Sequence, residues 1–218
     1  MSKELNEKKA IVTGADGPLA AAAADVLEAA GATVERIDTG AALAEACRGA
    51  IETLGGVDIL VTHSSPATDG PAAELHEIAA GPWNEAIDRH ATSVFTAIQT
   101  VAPAMQASGG GRIVNLTTAR AHSCADQHGV AELLVHGFTV GFARELGGDG
   151  VTVNAVEVGA ILAIGDERGP DPYPNRAVAR AGTATDPAAL VELLAGPGGE
   201  WISGQVFTVD GGGWMRPD

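Results

Sequence analysis

GRIVNLTTARAHSCADQHGVAELLVHGFTVGFAREL, residues 111–146, contains the change of period that decides the fold. Ile113-Val114-Asn115-Leu116 is a short apolar run of strand type. From Gln127 to Leu146 the spacing is helical, closing on Ala143-Arg144-Glu145-Leu146. His128 and Glu132 are four apart on that helix and so share one face.

The same unit recurs on both sides. Ala10 to Thr13 reads as a buried strand, Gly14 to Gly17 as a turn, and Pro18 to Ala30 as an Ala-rich helix that Gly31 ends. Thr33 to Asp38 is a second strand, followed by a helix over Ala41 to Leu54 that Gly55-Gly56 stops. Val57 to Thr62 is a third strand. After a loop to Gly81, a long helix runs from Pro82 to about Met105, with Trp83, Ile87, Val94 and Ile98 on one side. Beyond the central unit come a strand at Val151 to Val156, a Gly- and Pro-rich loop over Gly159 to Gly182, a helix opened by Asp186-Pro187, and a last strand at Gln205 to Val209. Repeated strand-helix units predict an α/β fold, a Rossmann-like, doubly wound parallel sheet with helices on both faces, in one domain over residues 1–218.

Composition agrees. The chain has 218 residues, 45% of them hydrophobic, with 29 Gly and 4% aromatics, which suits close packing of helices on a sheet. A net charge of −15 argues against nucleic acid and anionic membrane as partners. Cys47 and Cys124 form neither a disulfide framework nor a zinc spacing. The N-terminal MSKELNEKKAIVTG is charged and leads straight into a strand, unlike a secretion signal, so the expected location is the cytoplasm.

Five segments in order resemble the short-chain dehydrogenase/reductase family. They are Thr13-Gly14; Gly31-Ala32 with Val34 leading to Asp38; Val57-Asp58-Ile59-Leu60-Val61; Val153-Asn154-Ala155-Val156; and Ser203-Gly204-Gln205 with Val209-Asp210-Gly211-Gly212. In that family a Ser ends the central strand, and a Tyr and a Lys lie four residues apart on the following helix. The ending GFxxxFAREL sets the register at Gly137 and puts His128 at the Tyr position and Glu132 at the Lys position. Thr118 stands for the Ser and His90 for the Asn of the preceding helix. Glu132 reverses the charge that lowers a phenol's pKa, and no phenol is there to be lowered; the single tyrosine, Tyr173, lies in the late loop. The resemblance therefore implies a degenerate member that does not reduce ketones by the family mechanism.

The nucleotide site departs from the family in three places. TGxxxGxG is replaced by TGADGPLA, with Thr13 and Gly14 kept, Pro18 in place of the second Gly and Ala20 in place of the third. Pro18 has no NH to offer a pyrophosphate, Ala20 adds a methyl where helix and strand meet, and Asp16 is placed to cap the helix and repel phosphate. Asp38 matches the ribose-binding acid, but only 20 positions separate it from Asp58. A full crossover takes about 30 residues or more. One strand-helix unit is therefore missing after the second strand, which should become an edge. The family's NNAG turn is Thr62-His63-Ser64-Ser65, and its Pro-Gly beyond the sixth strand is Val158-Gly159. These departures predict that the chain binds no NAD of its own.

Two functions fit. The first is a non-catalytic subunit in a hetero-oligomer, expected to be a tetramer, with an active, NAD-carrying paralogue. Some family dehydrogenases of anaerobic aromatic degradation pair unlike subunits in this way. The long helices keep their pattern, and Gly137, Gly141 and Ala143 among Val135, Phe138, Val140 and Phe142 permit close packing. The alternative is a cofactor-independent acid–base enzyme (lyase, dehydratase or isomerase) using His128 and Glu132. The family resemblance implies that His63 and His90 line the same cleft, and those side chains are also of metal-ligating type, though no metal-site spacing is present.

Overall fold

The computed structural model describes residues 4–40, 42–63, 74–119, 121, 124–159, 161 and 177–213. Ser64, Ser65, His122 and Tyr173 lie outside them. Six strands form one sheet: β1 Lys9–Thr13, β2 Thr33–Ile37, β3 Ile59–His63, β4 Gly111–Thr118, β5 Val151–Val158 and β6 Val206–Val209. Their order is β2-β1-β3-β4-β5-β6, and every neighbouring pair is parallel. The expected Rossmann-like sheet is thus present, with β2 at its edge as the short spacing after Asp38 requires. Arg36 on that edge reaches back to α1 (Pro18–Ala29), 2.7 Å from Asp25 and 3.0 Å from Glu28. Charged side chains of this kind discourage pairing with another edge.

Buried strands with alternate residues on opposite faces give two apolar layers. On one face Val12, Ile59, Val61, Val114 and Val156 meet α1 and the last helix, which is numbered α6 below. On the other, Ile11, Leu60, Ile113 and Val153 meet α2 (Leu43–Leu54), α4 (Ser93–Ser108) and α5 (Gln127–Leu146). α2 contributes Cys47, whose thiol burial pushes up to about 11, an inert core residue. α6 is Thr185–Ala195; Asp186 accepts from the Thr183 amide at 2.8 Å and pairs with Arg180.

Several expected boundaries move. The second helix starts at Leu43, and the third strand runs on to His63, which puts that imidazole inside the sheet layer. The long helix starts earlier, as α3 (Ala80–Ala86), and passes through a π-helical segment, Ile87–Thr92, before continuing as α4. A π segment widens a helix by one residue per turn and often marks a functional site; this one carries the buried His90. α5 is capped by Asp126, whose carboxylate accepts from the Gly129 amide at 2.9 Å. Asp16 caps nothing: Gly17 is the N-cap of α1 and Asp16 is exposed. The Gly17 amide instead closes a backbone turn on the Gly14 carbonyl, 3.0 Å.

Candidate active site

The carboxyl ends of β1, β3, β4 and β5 open on one side of the sheet, where α/β folds bind ligands. Thr118 ends β4 there, and α5 lies over it. Because α5 is helical, His128, Glu132 and His136 fall at intervals of four on the face toward the sheet. His90 meets them from the π segment.

The four residues singled out for chemistry do come together. His90 Nε2 lies 3.3 Å from His128 Nδ1, and the two rings stand edge to face. His90 Nδ1 is 3.8 Å from one oxygen of Glu132. The other oxygen accepts from both the Thr118 amide and the Thr118 hydroxyl, each at 2.7 Å. Gln127 Nε2 is 3.2 Å from His128 Nε2 and closes the far end. His90, His128 and Glu132 are all buried. Thr118, at the position of the carbonyl-orienting Ser, has its hydroxyl hydrogen directed at a carboxylate. The network can share protons internally, yet it lacks the phenol and ammonium needed to protonate a carbonyl product.

A second pair, half-buried His136 and buried Glu157, also lies between α5 and the sheet. His136 Nε2 is 3.0 Å from Thr117 Oγ1 and 3.7 Å from Glu157, and Thr208 donates to Glu157 at 3.3 Å. Sequence reasoning gave His136 no role and passed over Glu157. Two signals pointed to them: the repeat of four from His128 to His136, and a carboxylate inside a strand otherwise built to be buried. Among the described residues no group of three His, Cys, Asp or Glu side chains is placed to hold a metal ion.

His63 does not join either network. Its Nδ1 lies 3.3 Å from the Leu116 carbonyl, so Nδ1 carries the hydrogen and Nε2 is a bare acceptor in the neutral ring. The ring is only 1% exposed, and among the described residues Nε2 has no hydrogen-bond partner. Burial pulls its pKa down to about 4; the Leu116 bond works in the opposite direction, and nearby His90 lowers it further. The ring sits beneath the glycine turn. A Cβ on Gly14 (φ +71°) would strike the His63 carbonyl oxygen, and one on Gly17 would lie 3.8 Å from Nε2. Pro18 occupies the first helical position of α1, Ala20 is fully buried, and Asp38 is exposed just beyond β2.

A six-stranded parallel sheet with a glycine turn after the first strand and polar residues on the strand-β4 and α5 pair matches known proteins over most of its length. The family model described as enoyl-(acyl carrier protein) reductase matches residues 3–213. The chain belongs to the short-chain dehydrogenase/reductase family. A 3-oxoacyl-[acyl-carrier-protein] reductase of Staphylococcus epidermidis is 32% identical over 178 residues, covering 76% of this chain and 70% of that protein. Among solved structures, a dehydrogenase/reductase from Sinorhizobium meliloti 1021 superposes with a TM-score of 0.86 at 27% identity, covering 97% of each chain. A blue fluorescent protein from a metagenomic library, solved in complex with NADPH, gives 0.82 at 28%, covering 96% of this chain and 98% of its own.

Membership raises the question of a nicotinamide dinucleotide, and the glycine turn supplies a physical test. With His63 neutral, a phosphate over the turn would approach the Nε2 lone pair rather than a donor, and Pro18 contributes no NH. The residues present do not fit a pyrophosphate in that protonation state. Among the described residues no helix is long and apolar enough to cross a membrane.

Proposed function

We propose that this chain is a non-catalytic member of the short-chain dehydrogenase/reductase family that assembles with an active, NAD-dependent paralogue. The observation that carries the reading is Glu132: a carboxylate stands where the family resemblance expects Lys, and it takes both the amide and the hydroxyl hydrogen of Thr118. Groups that would orient a carbonyl and supply its proton are bonded to one another instead. The oxidoreductase chemistry is then the partner's, together with its NAD.

The outer face of α4 and α5 supports assembly. Phe95, Leu133 and Val140 are 37%, 44% and 44% exposed, and Phe95 stacks 5.5 Å from Phe138 and 5.7 Å from Phe142. A Cβ at Gly137 or Gly141 would meet nothing within 4 Å. Glycine inside a helix costs about 0.5–1 kcal/mol relative to Ala. Two that face open space suit the close approach of another helix. An interface of this kind should bury more than ~1,000 Å².

Native mass spectrometry of the complex purified from its source is the test. The expected mass is a hetero-oligomer, a tetramer, containing a second family member with an intact Ser-Tyr-Lys set. A monomeric or homomeric mass without such a paralogue would overturn the subunit reading. Proton transfer by His128 and Glu132 would then be the function to assay.

A further inference from the structure

The amino ends of the strands, opposite the Thr118 and Glu132 network, hold a separate opening. A cleft of about 860 Å³ runs across Ile59, Gly111 and Val151, the first residues of β3, β4 and β5, and past the end of α6 at Ala195. Arg112, next along β4, is half-buried in its wall, in a chain of net charge −15. Its Nη1 donates to the Gly111 carbonyl at 3.0 Å and lies 3.5 Å from that of Gly150. Nε is covered and has no partner among the described residues. Nη2 bonds to no described residue either, is not among the covered atoms, and no described carboxylate pairs with the guanidinium. Thr152 stands beside Arg112 across the strand pair, 8% exposed, and its hydroxyl also lacks a partner among the described residues. A half-buried cation without a counter-charge destabilises a fold unless an anion is bound beside it.

The other charges on the cleft select the kind of anion. Lys8 and Asp58 pair at 3.1 Å and cancel. Glu4 and Glu200 remain, both exposed, and Trp201 follows Glu200 with its side chain 99% exposed. Two carboxylates on the rim repel a polyanion such as a phosphate. A carboxylate beside a bare indole suits an alkylammonium, through charge and through the face of the ring. We propose that this cleft binds a small zwitterion, an amino acid or short peptide. Its carboxylate accepts from Arg112 Nη2, and its ammonium sits at the rim formed by Glu200 and Trp201. The Nη1 bonds to Gly111 and Gly150 hold the guanidinium in place beforehand, which lowers the entropy lost on binding.

The plainer role for Arg112 is to tie the start of β4 to the Gly150 turn through Nη1. That role engages one of the three guanidinium nitrogens and leaves the charge unmatched. A bound carboxylate supplies the missing acceptor and the missing charge together. This inference does not depend on the subunit reading, since the cleft is at the other end of the sheet from Glu132 and the binding is to this chain alone.

The experiment is NMR titration of the isotope-labelled full chain with trimethylglycine and with triglycine, following the Arg112 Nε–H and Trp201 indole N–H signals. At least one of these zwitterions should move both signals saturably. Acetate and tetramethylammonium, each with one of the two charges, should bind about 10-fold or more weaker. Arg112→Gln should weaken the zwitterion by about 10-fold or more, the effect of losing a charge-assisted hydrogen bond. Glu200→Gln and Trp201→Ala change exposed side chains and leave the fold intact; each should weaken it by up to about 5-fold without altering the response to acetate. A purely structural Arg112 predicts no ligand-dependent shift at all. No saturable shift with either zwitterion, acetate binding as tightly as they do, or unchanged affinity in both Glu200→Gln and Trp201→Ala would each overturn the proposal.

Discussion

Two polar sites, both buried, differ in one respect. Around Glu132, the histidines, the carboxylate and Thr118 bond to one another. Under the glycine turn, His63 has one nitrogen bonded and the other bare. Burial acts on both, since a polar group withdrawn from water costs free energy unless a partner replaces the water. Where partners exist, the side chains become part of the framework and are costly to remove. Where one is missing, the group is a liability to the fold.

The largest expected effect breaks the first site. Glu132→Ala strips a buried carboxylate from the Thr118 amide and hydroxyl and from His90, and should cost about 3–5 kcal/mol of stability, as breaking a buried charged network does. Urea unfolding at neutral pH measures it. A loss below about 1 kcal/mol would mean that these bonds are exchanged for water without penalty, and the contrast between the two sites would fail.

An intermediate effect belongs to the second site and depends on pH. The folded-state pKa of His63, about 4, is below the ordinary 6.5, so the unfolded chain binds the extra proton between those values. Stability should therefore be level above about pH 6.5 and decline on acidification toward pH 4, by up to ~3 kcal/mol from this residue. His63→Leu should change neutral-pH stability by no more than about 1 kcal/mol, because the orphaned atom goes together with the Leu116 bond. It should also flatten the acid limb of a stability–pH curve. An equally steep limb in the variant would show that other groups govern the acid response.

Thr208→Val sharpens the comparison at its small end. The Thr208 hydroxyl is an exposed donor to the buried Glu157 at 3.3 Å, and His136 also faces that carboxylate. Its loss should cost no more than about 1 kcal/mol, readable as a small shift of the urea midpoint at unchanged slope. A larger cost would make Glu157 as dependent on its partners as Glu132 is.

Sequence alone determined the parallel sheet, the edge position of the second strand and the shared face of His128 and Glu132. These follow from local periodicity, from the 20-residue gap between Asp38 and Asp58, and from register along one helix. That Thr118 and His90 meet them was implied by the family resemblance alone. The sequence did not reveal that Glu132 turns toward Thr118, that His136 finds Glu157, or that Gly17 rather than Asp16 caps α1. Nor did it show that His63 lies under the glycine turn with a bare nitrogen. Those outcomes depend on which strand ends and helix faces lie within about 3 Å of one another, the range in which hydrogen bonds form. Residues far apart in the chain acquire such distances only when the sheet and its helices are packed.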